Sequence, residues 1–538
     1  MAPALSQVFP SSMQLHPTVS SIHRRFALVA GACALLLGLN GCTTYESQTQ
    51  ARVQATKAGS LAVAIAQADQ QAKSATGSKD ELIFTLEQGA TLRTAALADV
   101  SAVPDIRPPQ PAPKNGEPAT SVLPEPKPAE VHAYYFDRSL RAFDQAEDKV
   151  NVWEDQAKVK LGSEVGALVT NQASLPYRGH AYDKVMMNTY KALNYLALGE
   201  KDKARVELNR SLQRQRDAVE ANQLRIAAAQ DQAEKARKGE LKDQNGKSAA
   251  YDSEKAINDS RTGPALQAAL NESLAPMKPY GDYVNPFSVF LDGLFFTVLG
   301  EGGSDLERGR KSFERVAAMV PDNPYLKADL NAAASAAEGK APTGVTYVIF
   351  ETGSAPSRTQ IRIDIPTFII SSNLAYVGAA FPRLVFDGDY IGSLGITADG
   401  QTVNTATVAS IDSVVANDFK NEWPTIVTKT LITTATKAII QAAIQKQAES
   451  RGGMWGSLAG AIMTGINAST NIADTRTWES LPKEFQYARL VTPANRQLTL
   501  NAGTEQKTVE LGSGSINLVY VKSVSTKSPL YVSTFVLQ

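Results

Sequence analysis

The chain has 538 residues, 43% of them apolar, and its 54 basic residues balance 54 acidic ones. That length exceeds one ordinary domain and fits two or three, and a neutral balance excludes the basic excess expected of a nucleic-acid binder. Two cysteines exclude a disulfide framework and any cysteine-built zinc or iron–sulfur site, and four histidines leave little histidine chemistry.

Arg24-Arg25 precede fourteen uncharged residues, Phe26 to Leu39, and the ending Leu39-Asn40-Gly41-Cys42 follows. As a helix that stretch spans about 21 Å, short of the roughly 30 Å hydrocarbon core, so residues 1–41 read as a signal peptide rather than a membrane span. Leu-x-Gly-Cys resembles the lipobox of bacterial lipoproteins, which implies that Cys42 is acylated and becomes the mature N-terminus; the alternative is a plain signal with a chance cysteine. Thr43 in place of aspartate implies, by the same resemblance, delivery to the outer membrane. Cleavage would leave 497 residues, 52 basic against 54 acidic, with His132 and His180 as the remaining histidines. Such a body suits the oxidising periplasm. The stretch before Arg24 is long for a signal, and Met13 is an alternative start.

Residues 42–102 read as a helical segment rich in Ala, Gln, Lys and Glu, with Leu82, Phe84, Leu86 and Leu92 as apolar contacts. Nine prolines between Pro104 and Pro128 exclude helix interior and sheet, which makes 103–131 a flexible insert. Over 132–340 the pattern is helical again. Met186, Tyr190, Leu193 and Ala197 share one face, Gly199 stops that helix, and Ala204, Leu208 and Leu212 pack the next. Phe290, Leu294, Phe295 and Leu299 lead into Gly300-Glu301-Gly302-Gly303, with Phe313, Ala317 and Pro321 beyond. Both units resemble the helix pairs of tetratricopeptide repeats. A long, partly solvated helix is expected from Arg205 to about Arg237, and a loose connection over 238–262.

Past residue 341 the period changes. Val345–Phe350 is nearly all apolar and reads as a strand buried on both faces or as the centre of a sheet, and Ile361, Ile363 and Ile365 alternate with polar residues up to Pro366. Asp399-Gly400 signals a hairpin. Strands are expected over Gln497–Leu500, Thr508–Leu511, Ile516–Val521 and Leu530–Leu537. Within this β-rich domain, 341–538, a helical hairpin is expected over 424–470, turning at Arg451-Gly452-Gly453. The fold class is therefore α+β in two domains, a tetratricopeptide-like α-helical repeat domain and a C-terminal β-rich domain with an inserted helical hairpin.

Three segments, Tyr190–Gly199, Tyr347–Pro356 and Ala473–Pro482, together with Asp322–Tyr325, resemble an uncharacterised bacterial outer-membrane lipoprotein family. Its members pair a tetratricopeptide-like helical half with a β-rich C-terminal half. The resemblance implies a cell-envelope location and supplies no catalytic residues.

The chemical candidates read mostly as structure. Gly300–Ser304 lacks the Lys-Ser/Thr of a phosphate loop and does not follow a strand. Asp387-Gly388-Asp389 lacks the closing Glu of a calcium loop. Glu351 either pairs with an arginine or caps a turn, and work as a general acid requires a second carboxylate. Asp474-Thr475-Arg476, above Trp478 and Leu481, is either a binding edge or a corner that fixes the chain's return. Gly456, Gly460 and Gly465 line an apolar helix suited to close packing. No catalytic residue, cofactor or metal is assigned, and the one site residue is Cys42, for lipid attachment. The expectation is a non-enzymatic scaffold or adaptor, lipid-anchored in the bacterial outer membrane and facing the periplasm. It would bind other envelope proteins or lipoproteins, and no nucleic acid, through its helical-repeat surface. The alternative is an envelope-polymer hydrolase using carboxylates of the β-rich half.

Overall fold

The computed structural model describes residues 45–107, 124–159, 172–241, 250–275, 277–278, 280–366, 376–449 and 472–538. The signal segment 1–41 and Cys42 lie outside these residues. So do most of the proline-rich insert, the expected second arm of the hairpin over 453–470, and Gly456, Gly460 and Gly465.

The first helices are α1 (Tyr45–Lys57), α2 (Leu61–Ala75) and α3 (Glu81–Leu97). Helix α3 is buried along almost its whole length, its threonines and two of its charged residues included, which makes it a central helix and not a surface one. Its two buried charges are met from elsewhere: Glu87 pairs with Arg52 of α1 at 3.0 Å, and Arg93 donates to Asn194 at 2.7 Å. Helix α4 (Pro128–Val159) begins inside the expected insert, because proline is compatible with the first turn of a helix, where its missing N–H costs nothing.

The helix pairs follow as the spacing predicts: α5 (Ala181–Ala197) with α6 (Lys201–Arg237), then, after α7 (Ser253–Ile257) and α8 (Thr262–Leu274), α9 (Pro286–Leu299) with α10 (Gly303–Met319) and α11 (Leu326–Ala337). Gly199 turns the first pair at φ 76°. The connection expected to be loose carries α7 and part of α8, anchored by the buried Tyr251, whose hydroxyl donates to the Pro366 carbonyl at 3.2 Å. Lys191, buried at the centre of the first pair, meets Asp144, Glu147 and Glu207 at 2.6–3.0 Å and so ties α4, α5 and α6 together.

The strands are β1 (Val345–Thr352), β2 (Ser357–Pro366), β3 (Tyr376–Val385), β4 (Gly395–Ala398), β5 (Gln401–Asn404) and β6 (Ala406–Ser410). After α12 (Ile411–Glu449) come β7 (Glu484–Val491), β8 (Gln497–Ala502), β9 (Glu505–Glu510), β10 (Ile516–Ser523) and β11 (Tyr531–Val536). They form a five-stranded sheet in the order β11-β10-β1-β7-β6, a four-stranded sheet β5-β4-β8-β9 and a β2-β3 ribbon. Strand β1 is central, parallel to β10 and antiparallel to β7. Its alternate residues serve two cores. Tyr347 and Ile349 join the cluster shared with the helices, while Val348 and Phe350 join a second cluster with Ile396, Leu498 and Leu500 of the four-stranded sheet. Helices thus cover one face of the large sheet and the small sheet covers the other, which is why β1 has no polar face.

Helix α12 differs from the expected hairpin arm: it starts at Ile411, thirteen residues earlier than 424, and carries Pro424 inside it. Proline there removes one backbone hydrogen bond, but Val415, Phe419, Trp423 and Val427 bury the face that flanks it. The boundary expected near residue 340 is the point where helix gives way to strand. The compact unit itself runs from Tyr45 to Gln538, and the larger core cluster includes residues from both sides of that point. Among the described residues no helix is long and apolar enough to cross a membrane.

Candidate functional site

Five parts of the chain converge at the start of α5. His180 is its N-cap, and Asp183 returns the capping interaction, its Oδ2 accepting from the His180 backbone N–H at 2.8 Å and from the Tyr177 hydroxyl. The imidazole lies flat against Tyr182, with ring centres 5.2 Å apart. From α12 come Asp418 and Glu422, one helical turn apart and therefore on one face. Strand β2 supplies Arg358, α6 supplies Arg225, and the 474–477 segment supplies backbone and hydroxyl groups.

His180 Nδ1 is 2.9 Å from Glu422 Oε1, and Nε2 is 3.3 Å from the Arg476 carbonyl. Both ring nitrogens face acceptors, so the ring is assigned as the doubly protonated imidazolium, donating to each. Burial and Arg358 oppose that charge, and Glu422 outweighs them, so the pKa of His180 is raised. Arg358 Nη2 stands 3.3 Å from Glu422 Oε2, and Arg225 Nη1 stands 3.5 Å from Oε1. Burial works to raise Glu422, but His180, Arg358 and Arg225 hold its carboxyl well below the usual range. Asp418 behaves in the opposite way. Burial, reinforced by Glu422, pushes it up to about 7. Its side chain is 2% exposed, and neither carboxylate oxygen has a hydrogen-bond partner among the described residues. The hydroxyl of Tyr283, which feels Asp418's charge, is likewise buried without a partner.

One carboxylate held ionised beside one held near neutral is the arrangement that general acid–base sites use. Here the pair is enclosed, and its immediate effect is to lock α12, β2 and α6 onto the cap of α5. His180, Asp418 and Glu422 also place one ligand atom each within 4.8 Å of the others, the donor set of a nitrogen–oxygen metal site.

The candidates from sequence fall elsewhere. Glu351 is fully buried and pairs with a lysine, not an arginine: Lys522 lies 2.5 Å away, and the hydroxyls of Tyr520 and Tyr190 donate to it at 2.5 and 2.9 Å. Burial would raise it, but Lys522 and Arg93 keep it below the usual range. Arg476 pairs with Asp474 at 2.6 Å and with Asp80 at 2.8 Å, while Trp478 is completely buried edge-on to Phe143 and Tyr190. That segment is a corner welded to the helices. Asp387 pairs with Lys57, and Asp389 accepts from the Thr526 N–H and hydroxyl, so the expected turn is a staple between distant loops. Gly300–Ser304 is the turn between α9 and α10, where the Glu301 N–H donates to Asp305.

Asp418, Glu422, Arg358 and Arg225 escape a sequence reading that starts the helix at 424. The available signal was the Asp-x-x-x-Glu spacing of 418 and 422, in front of an aromatic pair, Phe419 and Trp423.

A second feature is open to solvent. Helices α2, α3 and α4 enclose a groove of about 580 Å³, lined by Asp69, Lys73, Glu81, Gln88, Asp148 and Val152 among others. A smaller groove of about 240 Å³, with Tyr134, Arg138 and Arg141, continues along α3 and α4, and Gln88 and Gln145 line both. No protein-family model, curated protein or solved structure matches the chain.

Proposed function

We propose that the protein is a lipid-anchored, periplasm-facing scaffold of the bacterial outer membrane that binds another envelope protein or lipoprotein without catalysing a reaction. The observation that carries this reading is the continuous pair of grooves along α3 and α4. It offers charges of both signs, amides, the exposed Tyr134 and the half-exposed Val152, a lining suited to a partner chain. The Leu-Asn-Gly-Cys42 ending supports the anchor. The hydrolase alternative needs two accessible carboxylates facing one another in the β-rich half; the acids that stand together there, Asp418 and Glu422, are buried, which supports the scaffold reading.

A photo-crosslinking residue at Gln145, which faces both grooves, tests it in intact envelopes, with Val491, 79% exposed on a strand end, as the control position. Discrete cross-linked species at 145 and not at 491 are expected. Identical patterns at the two positions, or none at either, would refute the groove as the docking surface.

A further inference from the structure

We infer that His180, Asp418 and Glu422 form a binding site for a divalent cation of the zinc class, which joins the cap of α5 to α12.

The geometry suits such an ion. Zinc–nitrogen and zinc–oxygen bonds of about 2.0 Å in a tetrahedron set neighbouring ligand atoms about 3.3 Å apart. His180 Nδ1 and Glu422 Oε1 already stand at 2.9 Å, and the three ligand atoms all lie within 4.8 Å of one another. Small side-chain movements therefore reach the coordination distances. The second observation is Asp418, a carboxylate buried to 2% exposure with no hydrogen-bond partner for either oxygen. Buried polar atoms are paired as a rule, and a carboxylate left without a hydrogen bond beside an imidazole and a second carboxylate is the environment that a bound cation would satisfy.

The donor set is one imidazole nitrogen and two carboxylate oxygens, which zinc accepts and which leaves a fourth position for water. Two of the ligands come from adjacent turns of one helix, so α12 presets their spacing. His180 is held in place by its capping role, by Tyr182 stacked on its ring and by the Arg476 carbonyl at Nε2, the kind of outer support that orients metal-binding histidines. Arg358 and Arg225 both meet Glu422 and oppose a cation. Arg476 adds a third positive charge, and four carboxylates, Asp418, Glu422, Asp183 and Asp474, stand against the three guanidiniums around His180. Loading releases the Nδ1 proton of His180 and ionises Asp418, so that four carboxylates and the dication stand with three guanidiniums, and the ion takes the place of the protons it displaces.

The test uses the full chain, stripped with a chelator, repurified and titrated with zinc. The wild type is expected to retain about one equivalent and to melt at a higher temperature when loaded. Asp418→Asn should weaken binding more than about tenfold, because it replaces a charged ligand by a neutral amide. Equal zinc affinity in the two proteins, or no retention by the wild type, overturns the site. Should the variant fail to fold, X-ray absorption at the zinc edge of the loaded wild type decides. A first shell of nitrogen and oxygen with one imidazole supports the assignment, and any sulfur or a shell without imidazole refutes it.

Discussion

Glu351 to glutamine is the substitution whose outcome follows most directly from the interior. Glu351 sits on the central strand with a side-chain exposure of 0%, and its partner Lys522, on the parallel neighbour β10, is 4% exposed. Neutralising the acid leaves an ammonium in the core with Arg93 close by, so two cations lose their counter-charge. Breaking one member of such a buried pair costs about 3–5 kcal/mol, most of it the cost of the charge left behind. The hydroxyls of Tyr190 and Tyr520 can still donate to the amide oxygen, which puts the expected loss toward the lower end of that range. Urea unfolding of the full chain in detergent, followed by tryptophan fluorescence, measures it. Trp478 lies edge-on to Tyr190 and reports on the same region. The double variant Glu351→Gln/Lys522→Met removes both charges and should recover more than half of the loss. The acid's pKa is lowered on folding. Its contribution is therefore complete above the ordinary glutamate range and is lost as pH falls through the depressed value, so the wild-type advantage over the variant should shrink on acidification. A single-variant loss below about 1 kcal/mol, or no recovery in the double variant, would refute the argument that the pair is held by compensation of buried charge.

Four other outcomes are expected. Cys42→Ser should abolish lipid labelling and release the protein from membrane fractions. Deleting residues 108–123 should move the melting temperature by no more than about two degrees, since a proline-rich sequence with almost no large apolar residues has little to bury. A fragment of residues 341–538 should fail to melt cooperatively, because it bares the sheet face built from Tyr347, Ile349, Phe485, Tyr487, Leu518 and Tyr520, which the helices cover; a sharp transition in circular dichroism would contradict this. Glu479→Gln should stabilise the chain at pH 8 more than at pH 5. Burial and the neighbouring Glu87 push Glu479 up to about 7 against Arg52, so wild-type stability falls as pH rises from the unfolded value toward 7, and the amide removes that fall. Melting temperatures at the two pH values check the sign.

Local features could be read from the chain because their causes are local. Asp399 and Gly400 take positive φ, 48° and 77°, as a two-residue hairpin demands, and Gly199 closes the α5–α6 pair as its spacing implies. The nearly all-apolar run Val345–Phe350 is a strand with a core on each side. Helix α12 was harder, since Pro424 resembles a helix start and its interior position is held only by tertiary burial of Phe419 and Trp423. The partners of charged groups lay beyond local reach altogether. Glu351 meets Lys522 because β1 and β10 run parallel, and His180 meets Glu422 across 242 positions because α12 crosses the cap of α5. Side-chain type and spacing specify which elements form, because backbone preferences and amphipathic period act over a few residues. Which buried acid faces which cation depends on how those elements stack, and only the tertiary structure decides that.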